Sequence, residues 1–203
     1  MKKIQVLIIV AFFFCGTVSV QAQNVEYETK HELGVSYGGA PLSVWARIGE
    51  ALGEAIINGL TGGSIKYDNT SWFGSLSGEY FYRIDPAFSI GGIACFSQDN
   101  DDILVDNVKT GDRTTRFITV MPAVKWDYLR RNNFGMYMKF GGGYTFERVT
   151  ETYKGQDGSR NSGFFNMQIS LLGLEGGSKN VRGFFELGFG EQGVVLVGLR
   201  CKL

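Results

Sequence analysis

The stretch Phe134-Gly135-Met136-Tyr137-Met138-Lys139-Phe140-Gly141-Gly142-Gly143-Tyr144-Thr145-Phe146 alternates with a period of two. Its even positions carry Phe134, Met136, Met138, Phe140, Tyr144 and Phe146, broken only by Gly142. Its odd positions carry Gly135, Tyr137, Lys139, Gly141, Gly143 and Thr145. Successive side chains of a strand point to opposite faces, so this stretch is a strand with one apolar and one polar face.

The pattern recurs on both sides. Residues 116–128 set Ile118, Val120, Val124, Trp126 and Tyr128 against Thr119, Lys125 and Asp127. Residues 70–83 set Trp72, Leu76, Tyr80 and Tyr82 against Ser71, Ser75, Ser77, Glu79 and Arg83. In 164–172, Phe165, Met167, Ile169 and Leu171 alternate with Asn166, Gln168 and Ser170. Windows 31–38 and 88–97 behave alike, and two more close the chain. Phe185, Leu187 and Phe189 alternate with Glu186, Gly188 and Gly190; Val195, Val197, Leu199, Cys201 and Leu203 alternate with Gly198, Arg200 and Lys202. Eight strands are expected.

The charges discriminate further. Glu32, Glu79, Arg83, Lys125, Asp127, Lys139, Glu186, Arg200 and Lys202 all sit on the polar phase, and Arg116, at a strand end, is the exception. Aromatic residues bracket the apolar face near both strand ends, as Trp72 and Tyr82 do, or Phe134 and Tyr144 with Phe146. A soluble core concentrates large rings toward strand centres, whereas girdles at both ends mark a membrane barrel. No apolar stretch beyond the N-terminus is long enough for a spanning helix, so any span is made of strands. If both termini face the periplasm, the external connections are 39–69, 98–115, 147–163 and the Glu191-Gln192 turn. The opposite turns, at 84–87, 129–133 and 173–182, are shorter on the whole. Pro122, inside a strand, suggests a bulge.

The N-terminus supplies an address. Lys2 and Lys3 precede an apolar run from Val6 to Phe14, and Val20-Gln21-Ala22 offers small-residue cleavage after Ala22. This layout predicts a cleaved signal peptide over 1–22 and a barrel domain over 23–203. Phe residues before Cys15 argue against lipidation there. Losing two lysines leaves 18 basic against 20 acidic residues, a mature net charge of −2. That balance does not favour nucleic acid as a partner. Glycine and aromatics are abundant, with 29 Gly, 16 Phe and 9 Tyr against 3 Pro. Cys95 and Cys201 fit neither a zinc pattern nor a dense disulfide framework.

Gly183 to Leu203, with its Phe185-Glu186-x-Gly188-x-Gly190 hairpin entering an alternating last strand, resembles the small outer-membrane β-barrel superfamily of OmpX-type proteins and the OmpA transmembrane domain. The resemblance covers the mature chain as a pattern. It implies an eight-stranded antiparallel up-and-down transmembrane barrel in the cell outer membrane, surrounded by lipid and lipopolysaccharide. It also implies delivery by the barrel-assembly machinery, which reads an aromatic final residue in that family. Leu203 stands in its place here.

Candidate sites follow from the phases. Glu79, Lys125, Lys139, Glu186 and Arg200 share the lumen phase, and an eight-stranded barrel is just wide enough for side chains to fill it. A mutually paired structural plug is expected, with an ion path as the alternative. Residues 43–60 carry Val44, Trp45, Ile48, Leu52, Ile56 and Leu60 at helical spacing, opposite Arg47, Glu50, Glu54 and Asn58. An amphipathic helix in the first external loop is expected, with Trp45, Ile48, Leu52 and Ile56 available to the barrel rim, lipid or a partner.

Other motifs read plainly. Gly188 to Gly193 matches G-x-G-x-x-G, but a strand follows it where a dinucleotide site needs a helix, so it is a hairpin turn. Asp99-Asn100-Asp101-Asp102 lacks the EF-hand Gly and Glu, since Leu104 and Thr110 occupy those positions; a solvated acidic loop is expected. His31 is the only histidine and sits at the periplasmic end of its strand, a poor place for catalysis. No cofactor, metal or catalysis is expected. The function expected is a surface role through external loops, including contact with an outside partner. A lipid A-modifying enzyme, a narrow channel and a secreted lipocalin-like carrier are the alternatives, and the last needs the apolar phase to face inward.

Overall fold

The computed structural model describes residues 29–43, 65–105, 108–153 and 156–203. Eight strands run in order: β1 (His31–Gly39), β2 (Ile65–Asp85), β3 (Phe88–Val105), β4 (Val108–Arg130), β5 (Phe134–Tyr153), β6 (Gln156–Gly177), β7 (Val181–Gly190) and β8 (Val195–Lys202). Each pairs antiparallel with the next, and β1 pairs with β8 to close the barrel. The seam runs from Glu32↔Lys202 to Gly39↔Val195. Closure removes the sheet edges that a lone hairpin would leave open. No described helix is long and apolar enough to cross a membrane.

The alternation seen in sequence becomes inside and outside. Along β1, Glu32, Gly34, Ser36 and Gly38 are buried while Leu33, Val35 and Tyr37 are exposed. Along β4, Lys125 and Asp127 point inward and Ile118, Val120, Val124 and Trp126 outward. The lipocalin-like alternative, which required the apolar phase inside, is overturned by this orientation. Within the barrel, Phe81, Ile93, Cys95, Met121 and Ala123 pack as a small apolar cluster. The larger part of the interior is polar.

Bulges break the parity in places. On β6 the ladders to β5 and β7 both shift, between Tyr137/Lys139 and between Ser170/Leu172. One extra residue near Leu171 therefore turns Gly173 and Glu175 inward, against the phase of the preceding stretch. On β2 the ladder shifts between Phe73 and Leu76, so Phe73 stands outside and Gly74 and Ser75 are buried. Strict alternation assigned the outer aromatic to Trp72, whose side chain lies outside the described set. Pro122 makes no bulge. It interrupts pairing with β5 between Val120↔Tyr144 and Ala123↔Gly141, and the register is the same on either side.

Two expected loops are strand instead. Residues 98–105 and 108–115 continue β3 and β4 as paired strands, and 147–153 and 156–163 continue β5 and β6. The connections between these pairs shrink to 106–107 and 154–155, outside the described residues. Polar sequence there matched a loop, but Thr, Val and alternating charges extend a hairpin equally well once the register is set below. The first connection contracts to 40–64. Residues 44–64, with Trp45, Ile48, Leu52 and Ile56, lie outside the described residues, as does the 1–22 segment.

The β7–β8 turn is tight. Gly190 and Gly193 adopt φ of 145° and 116°, conformations that L side chains rarely take. Gly193 N–H donates to the Gly190 carbonyl at 3.1 Å. The G-x-G-x-x-G match is thus hairpin geometry.

Candidate functional site

Arg200, on β8, is wholly buried at the centre of the lumen. Its guanidinium meets carboxylates from four other strands. It donates to Glu79 of β2 and to Glu175 of β6 at 2.9 Å, and lies 3.8 Å from both Glu32 of β1 and Glu186 of β7. Its Cζ sits 4.7 Å and 4.5 Å from the ring centroids of Tyr137 and Phe184. Arginine suits this place because its planar fork reaches several acceptors and stacks on rings.

Lys139 bridges Glu79 at 2.8 Å and Glu186 at 2.9 Å. Glu186 also accepts from Tyr137 Oη and Ser170 Oγ, each at 2.6 Å. A ring at residue 173 is excluded by this packing: a Cβ added at Gly173 would lie 2.5 Å from the Tyr137 ring. Lys125 reaches Glu32 and lies 3.4 Å from Asp127. Glu79, Lys139, Glu186 and Arg200 thus form one cluster, and Lys125 joins it through Glu32. Glu175, Arg182 and Lys202 complete it, with Arg182 2.7 Å from Glu175 and Lys202 also bonded to Glu175. Buried charges are tolerated only when paired and hydrogen-bonded, and these are.

Glu175 and Arg182 are the members that sequence reasoning missed. Both fell in the turn expected over 173–182, whereas β6 continues to Gly177, β7 begins at Val181, and the bulge near Leu171 turns Glu175 inward. Glu32 and Lys202 were legible from their phase.

Toward the end where β1 begins and β8 ends, three arginines bond backbone carbonyls outside the strands. Arg83 donates to the Thr29 carbonyl at 2.7 Å, Arg130 to that of Pro86 at 2.6 Å, and Arg182 to those of Arg131 at 3.1 Å and Asn132 at 2.7 Å. His31 is exposed nearby. Its Nδ1 lies 2.8 Å from Tyr80 Oη and its ring 5.3 Å from that of Tyr82, so it belongs to the outer aromatic band rather than to the lumen.

At the opposite mouth a second polar group gathers around Glu191, in the turn beyond β7 and β8. It accepts from the Ser43 backbone N–H at 3.0 Å, Asn166 Nδ2 at 2.9 Å and Ser97 Oγ at 3.3 Å. Burial pushes its carboxyl above the usual range, and the three donors oppose that shift. This contact fixes where the first external connection leaves the barrel.

Above the mouth the wall is uneven. Strands β2 to β6 have 18 to 23 residues, whereas β1, β7 and β8 have 8 to 10. Pairing with β1 stops at Gly38↔Ser75, and pairing with β7 stops at Gln168↔Gly190. Five strands therefore continue as a sheet whose two edges, 65–74 of β2 and 156–167 of β6, have no strand beside them among the described residues. Asp99 and Asp101 lie in this sheet on buried inward positions, alternating with Asn100 and Asp102. They are not the solvated acidic loop expected. Lys109 joins Asp102 at 2.8 Å and Asp112 at 2.6 Å near the tip of the β3–β4 hairpin. Both bonds hold its ammonium up, to about 12.

The described residues contain no group of three or more His, Cys, Asp or Glu side chains placed to hold a metal. Cys95 is buried in the lumen and Cys201 exposed on the outer face, and both thiols are free.

An eight-stranded closed up-and-down barrel, charged within and apolar without, is the class of protein these features define. Among solved structures the chain is similar to the crystal structure of Ail, the attachment invasion locus protein of Yersinia pestis. That likeness has 14% identity and a TM-score of 0.42 and covers 88% of this chain and 96% of that one. The same protein in complex with the heparin analogue sucrose octasulfate matches at 13% identity and a TM-score of 0.41, over 86% and 94% of the two chains. No protein-family model and no curated protein sequence matches the chain.

Proposed function

We propose that this is an integral outer-membrane protein that keeps its lumen shut and acts at the cell surface through the sheet raised by β2 to β6. The inverted polarity of the barrel carries the reading. Arg200, Lys125, Lys139, Glu79 and Glu186 are withdrawn from solvent inside. Leu33, Val35, Ile118, Val120, Phe140, Phe165, Leu171, Val197 and Leu199 stand at least half exposed outside. A soluble protein rarely exposes a continuous apolar belt of that extent, and a bilayer is the solvent that accepts it.

Tyr37, Phe73, Tyr144 and Phe146 lie toward one rim of that belt, and Tyr80, Trp126 and Phe134 toward the other. Lipid and lipopolysaccharide are then the immediate neighbours, and the barrel-assembly machinery the partner during biogenesis. The termini and short turns face the periplasm. The raised sheet faces outward, with two edges unpaired among the described residues and a polar surface for a protein or glycan partner. The role is interaction rather than catalysis.

The reading is tested by expressing the chain in a Gram-negative host and separating the membranes. It should fractionate with the outer membrane and migrate faster on gels before boiling than after. A maleimide reagent that cannot cross membranes should label an Asn161→Cys variant on intact cells. Recovery in the soluble fraction, or no labelling until cells are broken, sinks the proposal. Lipid A mass spectra should be the same with and without the protein; a changed spectrum would favour the enzyme reading.

A further inference from the structure

The outer wall is not uniformly smooth. Across β3 to β6 it holds a groove of about 380 Å³, lined by Phe88, Trp126, Met138, Phe140, Ile169 and Leu171. That volume falls within the range of about 300–1,000 Å³ typical of small-molecule pockets. Phe88, Met138 and Ile169 are half-buried and recessed, while Trp126, Phe140 and Leu171 stand out at 40%, 51% and 67% exposure.

The depression has a backbone cause. Trp126 pairs with Met138, and Val124 with Phe140, which pairs in turn with Ile169. The β5–β6 ladder skips at Met138, and the β6–β7 ladder skips at Leu171. A bulge re-aims the side chains beside it. Here the extra residue sets Leu172 beside the outward Leu171, and Met138 falls at the skip in the β5–β6 ladder, half-buried between its neighbours. Methionine is the residue best able to shape itself to a flexible guest. Lys139 and Ser170 touch the groove, but their polar ends are bonded to Glu79 and Glu186 in the lumen. The chemistry offered outward is almost wholly apolar.

We infer that this groove holds one acyl chain of a bilayer phospholipid, in the leaflet nearer the chain termini. The inference rests on the membrane reading above. The position supports that occupant. Phe88 directly follows the Pro86-Ala87 turn, so the groove opens within the apolar belt next to the girdle of that end. The groove is continuous with the lipid-facing wall, where acyl chains are what a bilayer presents. Lipid tails are as apolar as the groove, so retention comes from packing in the depression rather than from the hydrophobic effect. The site should therefore choose chains and ignore headgroups.

Native mass spectrometry of the folded barrel tests this, using detergent micelles doped with phosphatidylethanolamine or with phosphatidylglycerol of the same chains. The wild type should keep one phospholipid after the micelle is stripped, equally for both headgroups. Met138→Trp, which fills the recess, should lower that retention at least tenfold, and Met138→Leu should preserve it. Retention of detergent only, equal retention by Met138→Trp, dependence on the headgroup, or a dimer in place of lipid would each overturn the inference. Heat-modifiable migration of every variant reports folding separately. A barrel that folds and inserts but keeps no lipid refutes the groove alone; a chain that never inserts refutes the membrane reading as well.

Discussion

Glu191 is a buried carboxylate whose partners are an amide, a hydroxyl and a backbone N–H, without a cation among the contacts described for it. A neutral amide keeps the two N–H donors on its one oxygen, and the Ser97 hydroxyl can turn to accept from its Nε2, without the desolvation of a charge. Its folded-state pKa is raised above the ordinary 4.5. The stabilising form is therefore the protonated one, present in full below the unfolded value and lost as pH rises through the folded value. Glu191→Gln should then match the wild type at pH 4 and unfold at higher urea concentration at pH 8. A variant less stable at pH 8 would mean that the charge itself is used. Glu191 and Glu175 were the residues least legible in sequence. The first lies in a turn, where period and phase say nothing, and the second lies beyond a bulge. Lys125, Lys139, Glu186 and Arg200 were legible because an uninterrupted period of two fixes the face.

At the scale of elements, eight strands could be read because each carries an apolar face. The upper reaches of β3 to β6 could not, because above the apolar belt neither face must be apolar and the alternation loses its contrast. Those reaches are stabilised by their pairing and by local polar contacts such as Lys109 with Asp102 and Asp112, which are exposed and individually worth little. They should be dispensable for folding. Replacing 102–112 by an Asn-Gly turn joins the paired Asp101 and Arg113 and shortens the β3–β4 hairpin without touching the closed ring, and two-residue turns of this type suit antiparallel strands. The trimmed protein should keep its heat-modifiable shift and lose less than about 1 kcal/mol in urea unfolding, the size of a few exposed pairs. Loss of the shift would show that the raised sheet is needed to build the barrel.

For the molecule as a whole, the interior decides between plug and pore. Carboxylates and cations fill the section around Arg200, and each removal strands a partner in a dry space. Glu186→Ala withdraws acceptors from Lys139, Tyr137 and Ser170. The cost should be about 3–5 kcal/mol in urea unfolding, the range for breaking a buried pair. The wild type should carry no steps of current across planar bilayers, whereas the variant should show brief ones. Steady conductance by the wild type would reverse the assignment and make the charges a conduction path.

The four carboxylates around Arg200 come from β1, β2, β6 and β7, and Arg200 itself from the last strand made. Until β8 meets β1, those acids have no common counter-charge. A β8 that docks two residues out of register keeps its faces but carries Arg200 about 7 Å along the wall, leaving the four acids with Lys125, Lys139 and Arg182 but without the one cation that joins them. Closing the barrel in the right register and completing its charge cluster are therefore one event, and the guanidinium proofreads the seam through which the barrel is completed.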